Sequence, residues 1–142
     1  MRWGFVLTAL AFVLVPELAE AARCRVSATG VAFGLWTQSA MTAAGTVTVN
    51  CNGGDSASYT IALGAGSSGT FSARTLLSGA NRLIYDLYAD STHTKIWGDG
   101  TGGTATVAGS ESGTYTIYGL IPMQTAPAPG TYSDTITVTV AY

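Results

Sequence analysis

The stretch "GTYSDTITVTVAY", Gly130–Tyr142, decides the fold. After the turn-forming Gly130, apolar residues alternate with threonines at Ile136, Val138 and Val140 and the run ends on Tyr142, which is the pattern of a half-buried β-strand. No later segment of this sequence follows to cover the strand's second edge, and an uncovered edge is a row of unpaired N–H and C=O groups.

Working back from this strand, similar segments recur between Gly and Ser clusters. "GTVTVNC" alternates Val47 and Val49 towards Cys51, and "SYTIALG" puts Tyr59, Ile61 and Leu63 on one face. "NRLIYDLYAD" sets Leu83, Tyr85 and Leu87 against Ile84, Asp86 and Tyr88, and "GTYTIYGLIP" sets Tyr115 and Ile117 against threonines and Tyr118. "CRVSATGVAF" contributes Val26 and Ala28 before Gly30, while "TFSARTLLSG" is looser and "TATVAG" short. No stretch after residue 21 carries a 3.6-residue apolar period, so helices are expected to be absent or minimal. Seven or more short strands at intervals of roughly ten residues predict one all-β domain, a sandwich or a barrel.

The beginning of the chain reads differently. "MRWGFVLTALAFVLVPELAEA" has one basic residue, Arg2, an apolar run from Trp3 to Val15, and Ala19-Glu20-Ala21 as a small-residue cleavage site. It predicts a secretory signal peptide over 1–21 and a mature domain over 22–142. The apolar run is shorter than the roughly 20 residues of a membrane span, so no span is expected after its removal. Taking Arg2, Glu17 and Glu20 from six Lys/Arg and eight Asp/Glu leaves five against six, a nearly neutral domain. The five cations are scattered, which excludes the basic stripe that nucleic-acid binding requires. Both cysteines, Cys24 and Cys51, lie in the mature part, and an even count in an exported chain predicts one disulfide. A lipidated Cys24 is disfavoured by Arg23, which stands where that processing needs a small residue.

Catalytic chemistry finds no foothold. "GAGSSG", Gly64–Gly69, fits G-x-G-x-x-G formally, but no helix follows it to hold a pyrophosphate, so it reads as a loop. His93, the only histidine, stands in the polar turn "DSTHTK" and neighbours no triad by spacing alone. "GDGTGG", Gly98–Gly103, lacks the alternating acidic positions of a calcium loop and reads as a hairpin turn. Asp86 and Asp90 do not converge in a strand-to-turn setting, and Asp134 stands alone in its segment. No enzyme, cofactor or metal is expected. Of the aromatics, Trp36, Trp97, Tyr88 and Tyr118 are candidates for either a contact surface or the core.

Taken in order, "CRVSATGVAFGLW", "GTVTVNC", "RLIYDLYAD" with "IWGDG", "YTIYGLIPMQ" and "GTYSDTITVTVAY" resemble the spore coat protein U domain, a domain of archaic chaperone-usher pilus subunits. The resemblance implies an immunoglobulin-like sandwich lacking its final strand, which a periplasmic chaperone supplies first and a neighbouring subunit then replaces at the outer-membrane usher. It implies that Ile136, Val138, Val140 and Tyr142 form the donor-strand interface and that Cys24 and Cys51 form a structural bridge. Export through the periplasm to a surface pilus, with an adhesive or structural role, follows from it.

One departure from the family's pattern concerns the segment ahead of the first cysteine, which polymerising subunits donate to the next one. Cleavage after Ala21 leaves Ala22 and Arg23 there, and two residues at about 3.3 Å each cannot pair along a groove. The chain is then expected to accept a strand without giving one, either as a tip subunit or as a subunit that does not polymerise by this route. The alternative expectation is a free-standing secreted coat or matrix protein in which "SGTFSARTL" or "TATVAG" covers the open edge. A secreted hydrolase, the third class, would need a convergent polar constellation that the sequence does not offer.

Overall fold

A computed structural model describes residues 5–7, 11–15, 24–52 and 58–142. The predicted cleavage site at Ala19–Ala21, and Ala22 and Arg23 after it, lie outside the described residues. In chain order the strands are β1 (Phe5–Leu7), β2 (Ala11–Val15), β3 (Cys24–Thr29), β4 (Gly34–Trp36), β5 (Met41–Cys51) and β6 (Ser58–Leu63). They continue as β7 (Arg74–Ser78), β8 (Asn81–Tyr88), β9 (Val107–Ser110), β10 (Gly113–Ile121), β11 (Thr131–Tyr132) and β12 (Thr135–Ala141). The single helical element among the described residues is a 3-10 turn at Gly66–Ser68, inside the "GAGSSG" loop.

Two sheets face each other as a sandwich. One has the order β3-β5-β10-β8-β7 and the other β2-β12-β6-β9, with a small third sheet β11-β1-β4 beside them. Period-two patterning produces the layers: in β12 Ile136, Val138 and Val140 are buried while Thr137 and Thr139 are half-buried, and in β5 Val47 and Val49 point into the same core as Ile117 of β10. Burying these branched and aromatic side chains, each contributing about 1.5–3 kcal/mol, is what drives the layers together. Trp36 and Trp97 are both fully buried, so they belong to the core, while Tyr88 and Tyr118 are half-buried. Gly119 is held to glycine by close approach, because a Cβ there would lie 2.7 Å from the Phe33 ring and 2.8 Å from the Val31 side chain.

The disulfide is present: Cys24 and Cys51 oppose each other in the β3–β5 ladder and are bonded, S–S 2.04 Å. "TFSARTLLSG", which carries no clean alternation, contains β7, paired with β8 from Arg74↔Tyr85 to Ser78↔Asn81. "TATVAG" contributes to β9, paired with β6 on the edge away from β12. Neither segment therefore covers β12. "GDGTGG" is not a hairpin turn: the bridge that flanks it, Trp97↔Ala105, is parallel, so the loop swings round instead of reversing directly. "DSTHTK" is a polar turn, organised by the Asp90 carboxylate accepting from the backbone N–H groups of Thr94 (3.1 Å) and Lys95 (2.8 Å). His93 occupies its left-handed position at φ 54° and packs edge-on against Tyr88 and Tyr118.

Candidate functional site

The site is the edge of β12 that faces away from β6. On its inner side β12 is laddered to β6 from Val138↔Leu63 to Ala141↔Thr60, and Gly64 N–H extends this with a 2.9 Å bond to Thr137 O. On the other side it pairs with β2 in parallel, with the register Thr135↔Ala11, Ile136↔Phe12, Thr137↔Val13, Val138↔Leu14 and Thr139↔Val15. The adjoining strand β1 runs parallel to β11 and antiparallel to β4. The apolar segment Ala11–Val15 therefore supplies the strand beside β12. Among the described residues from 24 onwards, β12 has one ladder partner, β6.

The start of β12 is fixed by a buried carboxylate. Asp134, 3% exposed, accepts at Oδ1 from Ser67 N–H (2.8 Å), Ser67 Oγ (2.6 Å) and Thr135 N–H (2.9 Å), and at Oδ2 from the Tyr85 hydroxyl (2.6 Å). Burial, reinforced by the bond to Asp134, pushes the Tyr85 phenol far up, so it remains a donor across the working pH range. Gly66 makes room for this arrangement: it sits at φ +70°, and a Cβ there would fall 2.1 Å from Asp134 Oδ2. The preceding residue, Ser133, exchanges two backbone bonds with Leu77, N–H to O at 2.8 and 2.9 Å, which ties β12's entry to β7 in the opposite sheet.

A second buried polar centre holds the strand that supports β12. The fully buried Arg74 donates to Asp86 Oδ1 at 2.8 Å, to Gly64 O from both Nε (3.0 Å) and Nη2 (2.8 Å), and to Trp97 O at 2.6 Å. Trp97 in turn donates from its indole to Ile61 O at 3.0 Å. The end of β6 is thus clamped at Ile61 and Gly64, opposite the middle of β12. Burial raises the Asp86 carboxyl above its ordinary value, opposed by the Leu87 N–H and by Arg74.

Of the four residues expected at the interface, Ile136 and Val138 lie within the stretch paired with β2, and Val140 and Tyr142 lie beyond it. Tyr142, 39% exposed, packs against Tyr59 at 6.3 Å between ring centroids, in a cluster where Tyr59 and Tyr115 share a 2.8 Å hydroxyl contact. Its contacts are therefore with the β6 side. Asp134, Tyr85 and Arg74 escape a reading of the sequence because their partners are remote in the chain; Tyr85 and Asp134 are 49 residues apart. The single available signal is a lone carboxylate immediately before the most regular strand. Among the described residues no cluster of three or more His, Cys, Asp or Glu could hold a metal ion, and no helix is long and apolar enough to cross a membrane.

The chain is an all-β sandwich whose last strand is laddered on one edge to β6 and on the other to the apolar segment Ala11–Val15. Residues 9–139 match the Spore Coat Protein U domain, and the chain belongs to that family. The match begins upstream of Cys24 and takes in β2. Among solved structures the fold is similar to a chain in the crystal structure of the CsuC–CsuE chaperone–tip adhesion subunit pre-assembly complex from archaic chaperone-usher Csu pili of Acinetobacter baumannii, with a TM-score of 0.63 and 24% identity. That alignment covers 84% of this chain and 39% of the other, so this chain spans about two fifths of its length. No curated protein matches the sequence.

Proposed function

We propose that this chain is an exported structural or adhesive subunit of a chaperone-usher pilus, and that its β12 edge accepts a strand, first from a periplasmic chaperone and then from a neighbouring subunit at the outer-membrane usher. The observation that carries the proposal is the pairing of β12 on its outer edge with a segment that the sequence marks for removal. Once residues 1–21 are gone, the buried Ile136 and Val138 lose the strand beside them and the backbone of Thr135–Thr139 loses one ladder. A partner strand with alternating apolar side chains restores both. Family membership and the fold shared with a chain of a chaperone–subunit complex support the same reading. Cleavage after Ala21 leaves Ala22 and Arg23 ahead of Cys24, which favours a subunit that receives a strand at the tip and donates none.

The test is export of the chain with and without a chaperone from its own chaperone-usher system. A one-to-one complex, with the free mature chain folded but readily cut by protease in the chaperone's absence, is the expected result. A mature chain that accumulates alone as a protease-resistant monomer overturns the proposal. The N-terminal sequence of the purified chain decides the tip placement: a start at Ala22 agrees with it, and a start well upstream returns a donor segment.

A further inference from the structure

We propose that Gln124 plugs a second sheet edge of the domain: its side-chain amide takes the place of a strand beside Ile84 in β8, and so keeps that edge from pairing with the same edge of a second copy of the chain. The edge arises where two adjoining strands part. β10 and β8 pair from Tyr118↔Tyr88 to Leu120↔Asp86. Carried on by two residues, that register sets Pro122 opposite Ile84, and proline has no N–H to donate to a ladder. β10 ends at Ile121, whereas β8 reaches back to Asn81, paired with β7 on its far side through Ser78↔Asn81. Ile84 is thus left with a donor and an acceptor turned towards a strand that has stopped.

Gln124 fills this position from the loop after β10. Its Oε1 accepts from Ile84 N–H at 2.9 Å, and its Nε2 donates to Ile84 O at 2.7 Å and to Pro122 O at 3.2 Å. A carboxamide carries the donor and the acceptor of a peptide group, so one side chain reproduces both bonds that a hydrogen-bonded pair in an antiparallel ladder exchanges. The surroundings show what the plug holds back. Ile84 is 46% exposed and Met123, next to Gln124, is 76% exposed. An open edge flanked by exposed apolar side chains is the setting in which strands of separate molecules pair. Two such edges are self-complementary when antiparallel, with Ile84 of each opposite Arg82 of the other about a two-fold axis, which makes a second copy the occupant an unplugged edge takes. β8 lies in the sheet opposite β12, so the plug holds whichever strand β12 accepts.

The experiment uses the protein as exported and purified, alone or with a chaperone bound to it, beside its Gln124→Ala and Gln124→Glu variants. Sedimentation velocity is read up to about 100 µM, a concentration at which exposed strand edges associate, and hydrogen exchange is read at the Ile84 amide. The parent is expected to keep one size throughout, with that amide protected. Q124A is expected to form a species with two copies as the concentration rises and, at the lowest concentration, to exchange its Ile84 amide at least about tenfold faster. Q124E keeps an acceptor for the amide and sets a charge on the edge, so it is expected to stay a single copy like the parent. Q124A that behaves as the parent, or that exchanges faster without self-associating, overturns the proposal, since Gln124 then at most anchors its loop. Q124E that self-associates as Q124A does overturns it as well, because a charged edge does not pair. If Q124A is not recovered, Q124M, which keeps the apolar stem and lacks the amide, takes its place. In the parent itself, an Ile84 amide that exchanges as fast as an unprotected one overturns the plug without any variant.

Discussion

The hydroxyl of Tyr85 in β8 donates a 2.6 Å hydrogen bond to the carboxylate of Asp134, the residue that introduces β12. It joins the two sheets at the point where β12 begins, and the same carboxylate holds the Ser67 turn and the first amide of β12. Replacing Asp134 by Ala strands several buried donors at once, and each unsatisfied group is worth about 1–3 kcal/mol. D134A is expected to destabilise the domain by about 3 kcal/mol or more, whereas Y85F, which leaves the Ser67 and Thr135 bonds in place, is expected to lose about 1–2 kcal/mol. Chemical denaturation of both variants checks the order; equal small losses contradict the role given to Asp134.

Arg74 and Asp86 form a buried ion pair whose members are not equivalent. Without Arg74, the buried Asp86 carboxylate keeps only the Leu87 N–H, and the Gly64 and Trp97 carbonyls lose their donor. Without Asp86, the guanidinium still has both carbonyls. R74A is therefore expected to cost about 3–5 kcal/mol, the usual result of leaving a buried charge unpaired, and D86A less. A denaturation series showing D86A as the more damaging change contradicts this.

Much of this architecture is legible in the sequence. The Ile136, Val138, Val140 alternation marks β12 because one face of that strand is buried and the other is not, and the same holds for Tyr59, Ile61 and Leu63 in β6. The Cys24–Cys51 bridge follows from two cysteines in an exported chain. β7 is harder to see because the buried Arg74 and Thr75 stand among its apolar residues and break the alternation. Asp134 looks solitary because its hydrogen-bonding partners, Ser67 and Tyr85, are distant in sequence, and the parallel bridge beside Gly98–Gly103 depends on where Trp97 is buried. The pairing of Ala11–Val15 with β12 is invisible for another reason. A continuous apolar run has no period to announce a strand, and it reads equally well as the core of a signal peptide.

The disulfide closes a loop between residues 27 apart in sequence, which in the chain-entropy model stabilises the fold by about 3.5 kcal/mol. The C24S/C51S double variant is expected to unfold at correspondingly lower denaturant concentration without changing which strands pair. Equal midpoints for the oxidised protein and the variant contradict the assignment.

The Asp90 turn gives the domain a pH signature. Bonds from Thr92, Thr94 and the Lys95 N–H hold the Asp90 carboxyl well below its ordinary 3.8. A carboxyl whose folded value is depressed contributes stability that is complete above 3.8 and is lost as the pH falls below it. D90N is expected to melt lower than the parent at pH 7, with the gap narrowing as the pH drops from 4 towards 2. A gap that stays constant over that window contradicts the assignment.

Whether β12 has an edge that another strand fills is decided by melting the chain that begins at Ala22 against increasing concentrations of a donor peptide. At a hundred times the dissociation constant, a ligand bound only by the folded state adds about 2.7 kcal/mol, a rise of about 10 °C for a domain of this size. That rise is expected, and V138D, which places a charge at a buried position of β12, is expected to abolish it. A melting temperature unmoved by the peptide, or moved equally in V138D, would contradict strand acceptance at β12.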